Sequence, residues 1–266
     1  MMNLGRGWGL AWTSLAALAC GGAPARAQEP AGGLAHDVLE ARYSKGFEIR
    51  FQVSSVQPEE GRGPGAKIAA IGEMSVDGGR LLTRRIAGEL ATSHSLVARS
   101  DAQGRVTAVR FSAEPGGRVA ETDALSAQPY SGLFLWDMLA PWLRWADQKL
   151  TGKDQIDGHP CTLIISRAQS RDFPIQSVTS CVDVKNLLTL RTVLRDSSGN
   201  VIRRIDIEQT MRQSSGRLTA KKMRITRPDR PALEVEIYAG DEHYDIDKDT
   251  FSALDREERE LPLGER

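Results

Sequence analysis

The chain has 266 residues, with 35 basic and 35 acidic side chains and a formal net charge of zero. That length suits one large β domain or two small ones. A balanced charge gives no sign of the basic excess that a nucleic-acid footprint needs, so no nucleic-acid partner is expected.

Residues 1–27 read as a cleaved signal peptide. Arg6 supplies a positive start, residues 8–19 (WGLAWTSLAALA) form a short apolar stretch, and Ala25-Arg26-Ala27 is an A-x-A cleavage site. The mature chain, 28–266, is read as a single domain carrying two net negative charges, because the leader removes Arg6 and Arg26 and no acid. The competing reading is a lipoprotein anchored at Cys20, although Leu18 stands one position away from where a lipobox wants its leucine. No later stretch reaches 18 apolar residues, the length a spanning helix needs.

Residues 34–43 carry Leu34, Val38 and Leu39 at helical spacing. The period then switches to two. Phe47, Ile49, Phe51 and Val53 alternate with Glu48, Arg50 and Gln52, the pattern of a strand. The stretch 58–65 (PEEGRGPG) reads as a loop, and it lacks the helix and the Lys-Ser/Thr pair that a phosphate loop requires. Ile68, Ala70, Met74 and Val76 alternate towards Asp77-Gly78-Gly79, a hairpin signal, and 81–86 returns. A further pair is expected at 95–99 and 106–111, with another turn at 114–117.

Residues 133–146 (LFLWDMLAPWLRWA) break the β pattern. Phe134 and Met138 are four apart, as are Leu135 and Leu139, so a helical turn or two is expected, stopped or bent by Pro141. This segment holds Trp136, Trp142 and Trp145, all the tryptophans of the mature chain. It is apolar nearly all round, so it either plugs a core or covers something apolar.

From 156 to 225 the chain reads as five strands in an antiparallel meander, with short turns at 170–172, 183–186, 196–200 and 214–216. In 201–211, Val201, Ile205, Ile207 and Met211 share one face; Arg204, Asp206, Glu208 and Arg212 share the other. Such a sheet is wet on one side and needs a cover on the other. A last strand carries Leu233, Val235 and Ile237, and 246–254 makes a closing turn or short helix. The charged end, 257–266, is expected to fray.

The mature cysteines are Cys161 and Cys181. An even count in an oxidising compartment points to a disulfide. If the hairpin turns about Arg171, the two face each other directly across it.

No metal or cofactor site is expected. His36, His94, His159 and His243 show no metal-ligand spacing, and Asp245-Ile246-Asp247-Lys248-Asp249 lacks the glycine and glutamate of an EF-hand loop. There is no G-x-S-x-G elbow, and no carboxylate pair is made catalytic by its spacing, so the chain reads as non-enzymatic.

A tryptophan-rich segment is followed by Gly158 to Cys161, Val182 to Leu188 and Asp196 to Arg203 or Arg204, which fit a G-x-x-C strand, a V-D-x-x-x-x-L strand and a D-x-x-G-x-x-x-R hairpin. In this order the motifs resemble the outer-membrane lipoprotein-sorting family of LolA and LolB. The resemblance covers about 130–226, and 34–53 more loosely. It implies an α+β fold that is mostly antiparallel β: an unclosed half-barrel with short helices covering its concave face. It further implies a periplasmic, non-enzymatic carrier that binds lipid or lipoprotein acyl chains, working with an outer- or inner-membrane partner protein. On that reading the cavity and its lid are built from Leu133, Leu135, Trp136, Leu139, Trp142, Leu143 and Trp145. The alternative is a periplasmic sensor domain that binds lipid or peptide and signals to a partner. The arginine that tunes cargo release in LolA carriers has no evident counterpart, and 54–130 matches nothing in the family pattern.

The leader reading is tested at the N-terminus. Protein secreted by its host should begin at Gln28; a diacylglycerol on Cys20 overturns this.

Overall fold

A computed structural model describes residues 31–57, 61–88, 95–111, 120–122, 128, 130, 132–171, 173–213 and 216–251. The expected signal peptide and Cys20, His94, the turn at 114–117 and the charged end lie outside the described residues. Helix α1 (Ala31–Tyr43) leads into strands β1 (Phe47–Gln57), β2 (Gly61–Ser75), β3 (Gly78–Gly88), β4 (Ser95–Asp101), β5 (Val106–Phe111) and β6 (Ala120–Thr122). Helix α2 (Leu135–Leu139) and a 3₁₀ turn (Pro141–Arg144) follow. The chain then runs through β7 (Asp147–Ile156), β8 (His159–Arg167), β9 (Ser177–Asp183), β10 (Leu188–Arg195), β11 (Val201–Arg212), β12 (Leu218–Arg227) and β13 (Arg230–Asp241).

The strands form one 13-stranded antiparallel sheet in the order β6-β5-β4-β3-β2-β1-β13-β12-β11-β10-β9-β8-β7. Two meanders are joined where β1 pairs with β13, Val53 opposite Val235. The sheet does not close, and β6 and β7 are its edges. It is the expected open half-barrel, mostly antiparallel β, with its helices on the concave face.

Apolar residues on that face need a cover, and α1 supplies part of it. Ala35, Val38 and Leu39 recur at helical spacing and are fully buried against strand residues such as Phe51 and Ile68. The helix touches β2, the 3₁₀ turn and β7, so it spans the trough between the two meanders. Arg42, in its last turn, is buried and holds it in place. Nε donates to the Leu187 carbonyl at 2.5 Å, and Nη2 to the Asn186 and Leu218 carbonyls at 2.7 Å each.

Three local expectations are corrected. The stretch 61–65 is strand, not loop: it pairs with β1, and the register shifts between Ser54 and Val56 opposite it. A bulge there lets a proline sit in a strand without a ladder hydrogen bond. The meander also begins one strand earlier, because β7 is present. Its residues are mostly exposed, so it has little apolar alternation to reveal it.

The third correction concerns the disulfide's register. Cys161 and Cys181 are bridged, with Cα atoms 5.4 Å apart, but Leu163 is the residue directly opposite Cys181. The hairpin turns one position later than expected. Arg167 pairs with Ser177, and the Ala168 N–H still reaches the Gln176 carbonyl at 3.0 Å. The bridge is therefore diagonal. It sits in a small apolar cluster with Ile156, Leu188 and Leu190.

The bridge closes a loop with a sequence separation of 20. Chain entropy for such a loop is worth about 3 kcal/mol. The double variant Cys161→Ser/Cys181→Ser should lose stability of that order in chemical denaturation. An unchanged midpoint, or two free thiols in the denatured unreduced protein, overturns the assignment.

Candidate functional site: a covered apolar cavity

The cover over the trough is built from residues 132–146. Helix α2 has only one full turn, far too short to be stable alone. Its first turn is capped by Asp137, whose Oδ2 accepts the Phe134 N–H at 2.8 Å. It stops at Ala140, which takes the left-handed conformation (φ 43°) and bonds its N–H to the Trp136 carbonyl at 2.9 Å. Pro141 cannot continue an α-helix but suits the first position of a new one, so the 3₁₀ turn starts there. The expected break at Pro141 is thus a change of axis between two short helical pieces.

Both halves of the sheet hold this cover down. From one side, Arg144 is buried and donates from Nε to the Ser75 carbonyl at 2.7 Å and from Nη2 to the Gly78 carbonyl at 3.2 Å. Burial pulls its guanidinium down to about 10. From the other side, Arg203 on β11 donates from Nη2 to Asp137 Oδ2 at 2.5 Å and to the Gly132 carbonyl at 2.8 Å. Both side chains of this pair are only 3% exposed. Burial pushes the Asp137 carboxyl up, against the downward pull of Arg203. The Arg203 guanidinium also lies over the Phe134 ring, 5.2 Å from its centroid.

Between cover and sheet lies a cavity of about 530 Å³. That is within the ordinary range for ligand sites. Its inner walls are apolar: Phe51, Met74 and Leu81 from one meander, Ile205, Ile225 and Val235 from the other. The opposite end is polar. Arg212, Asp241 and His243 line it and are exposed, so the cavity opens there.

Of the cover residues singled out from the sequence, Leu133, Trp142 and Leu143 line the cavity. Trp142 is 2% exposed. Leu135, Trp136, Leu139 and Trp145 are buried but are not among its walls. Helical geometry separates them. Leu135 and Leu139 share one face of α2, and the cavity sees Asp137, Met138 and Ala140 instead. Trp145 packs edge-on against Phe173 at 5.8 Å, and Trp136 lies against Phe134 at 4.6 Å.

Two arginines escaped the sequence reading as site residues. Arg203 has the same parity as Ile205 and Ile207, so simple alternation already puts a charge on the apolar face. Of the two candidates for the last position of the hairpin motif, it is the buried one; Arg204 is exposed and pairs with Asp206. Arg212 was expected on the charged face. The β11–β12 register shifts on either side of Gln209, and beyond that irregularity both Met211 and Arg212 border the cavity.

A family profile described as an uncharacterized protein matches residues 131–252, the cover and the second meander. No curated protein sequence matches the chain. Among solved structures, an outer membrane lipoprotein-sorting protein domain from Vibrio parahaemolyticus superposes with a TM-score of 0.69 at 11% identity, covering 84% of this chain and 97% of that one. A DUF1329 family protein from Desulfovibrio piger gives 0.68 at 15% identity, with coverages of 84% and 97%. A LolA superfamily protein from Nitrosomonas europaea gives 0.61 at 10% identity, with coverages of 83% and 96%. The chain shares their fold, and the resemblance read from its motifs holds at that level.

Removing one member of a buried ion pair strands the other, at a cost of about 3–5 kcal/mol. Arg203→Met and Asp137→Leu should each lower stability by about that amount. The double variant, apolar on both sides, should lose far less than their sum in a denaturation double-mutant cycle. Additive losses would show that the two residues are not coupled.

Proposed function

We propose that the protein is a non-enzymatic binding protein of the lipoprotein-sorting type, taking lipid or lipoprotein acyl chains in the periplasm. The observation that carries this reading is the cavity itself: an apolar trough roofed by a tryptophan-bearing cover and open at one end. The fold shared with a lipoprotein-sorting domain and a LolA superfamily protein supports it. The signal peptide read at 1–27 supports the compartment.

The energetics suit an acyl chain. Each buried methylene contributes about 0.8 kcal/mol, so a dozen supply about 10 kcal/mol before association costs of about 4 kcal/mol or more. The remainder, about 6 kcal/mol at most, corresponds to roughly tens of micromolar affinity or weaker. Such binding retains a ligand and still allows its release. Among the described residues Asp137 is the charged side chain lining the interior end, and it is ion-paired with Arg203, so the trough offers an acyl chain mainly hydrocarbon contact.

Titration with a long-chain lipid should change tryptophan emission saturably, since Trp142 lines the cavity. Trp142→Ala should weaken binding more than it lowers the melting temperature. Ala220 also lines the cavity, and Ala220→Phe fills space without emptying the core, so it should abolish binding in a protein that melts normally. If the wild type shows no saturable response and Trp142→Ala merely melts earlier, the cover is core filler and the proposal fails.

A further inference from the structure

We infer that the open end of the cavity receives an anionic head group, carboxylate or phosphate, with Arg212 as its ion-pair partner. This rests on the acyl-binding reading and adds the orientation and the head chemistry of the ligand.

The lining separates by chemistry along the cavity. Its polar residues other than Asp137 and Thr192 come from one end of the sheet, where α1 finishes, β11 turns into β12, and β13 ends. These elements are neighbours: Arg42 bonds the Leu218 carbonyl at the start of β12, and Arg212 pairs with Leu218 in the ladder. An amphiphile must therefore enter hydrocarbon first, with its head at this rim.

The charges at the rim decide which head. Arg42 is enclosed by three backbone carbonyls and lies 3.7 Å from Glu242. Glu242 is held at 3.0 Å by Arg217 as well, so this carboxylate has two guanidinium partners. Asp241 Oδ1 accepts the His243 N–H at 2.9 Å. The exposed rim groups that pair with no opposite charge among the described residues are Asp241 and Arg212, whose Nη1 donates to the Gly216 carbonyl. Arg212 is exposed and borders the cavity, so its charge is offered to whatever fills the mouth. Thr219 and Gln213 beside it supply further hydrogen-bonding groups. A guanidinium suits the planar carboxylate and the phosphate oxygens alike.

The experiment uses four probes with one twelve-carbon chain and different heads: dodecanoate, dodecyl phosphate, dodecanol and dodecyltrimethylammonium. Each is titrated below its micelle concentration, with tryptophan emission as the readout. The anionic probes should bind about threefold to fivefold tighter than the alcohol, the scale of an exposed ion pair, and the cation weakest. High salt should shrink the difference. Arg212→Lys should keep the preference for an anion and Arg212→Glu should reverse it, both with a normal melting temperature. Whichever anion binds tighter identifies the head as carboxylate or phosphate. If all four bind equally and Arg212→Glu changes nothing, the head-group inference is wrong and acyl binding stands. If none binds saturably, acyl binding itself fails.

Discussion

The Asp137–Arg203 ion pair is the interaction on which the covered cavity depends. Alone, α2 is one helical turn and cannot persist in water. It exists because Asp137 serves two purposes: its Oδ2 caps the helix at Phe134 and meets Arg203 from the sheet. Arg203 in turn reaches the Gly132 carbonyl, so it fixes the approach to the helix as well as the helix. Replacing the pair with apolar side chains could give equal stability. What the pair adds is position, because a guanidinium with two directional partners permits one placement of the cover, whereas leucines permit many.

Alternation was legible wherever one face of a strand is buried and the other wet. Phe47 to Val53 and Leu233 to Ile237 were read correctly on that basis, and the break in alternation at 133–146 marked the cover. The pairing of Cys161 with Cys181 followed from their number and from the hairpin between them. Besides the strand at 61–65, three things were not legible. β7 is exposed along most of its length, so burial imposes little pattern on it. The exact register of the β8–β9 hairpin depends on where an irregular loop turns, and one position moved the bridge from opposed to diagonal. Arg212 lies past a register irregularity, where parity counted along the sequence no longer predicts the face. Arg203, by contrast, was visible in principle: a charge of apolar parity within a strand implies a buried partner.

The two ends of the cavity are built by different means. The interior end is closed by the cover, where Asp137 and Arg203 pair with each other. The open end is made of strand termini and a helix terminus, where backbone carbonyls have run out of ladder partners. Three of those carbonyls are satisfied by Arg42, which ties the turn at 186–187 and the start of β12 to α1. The same side chain thus satisfies backbone groups and stops the mouth from spreading.

The cavity also follows from the sheet's failure to close. Strands β6 and β7 are neighbours in sequence order, and in a closed barrel they would pair. Instead residues 132–146, which lead into β7, form the cover over the trough. Leaving two edges unpaired invites aggregation, and both edges are blunted. β6 is only three residues long. β7 carries Lys149 and Lys153, with a register shift at Leu150 and Gly152, the charge and irregularity that discourage edge-to-edge pairing. A closed barrel of well over about eight strands encloses more space than its own side chains fill. Keeping the sheet open, with a helix and a helical cover laid into the concavity, gives a core at the flanks and an unfilled apolar space between them. On the proposed reading, the ligand completes the packing that the chain itself leaves unfinished.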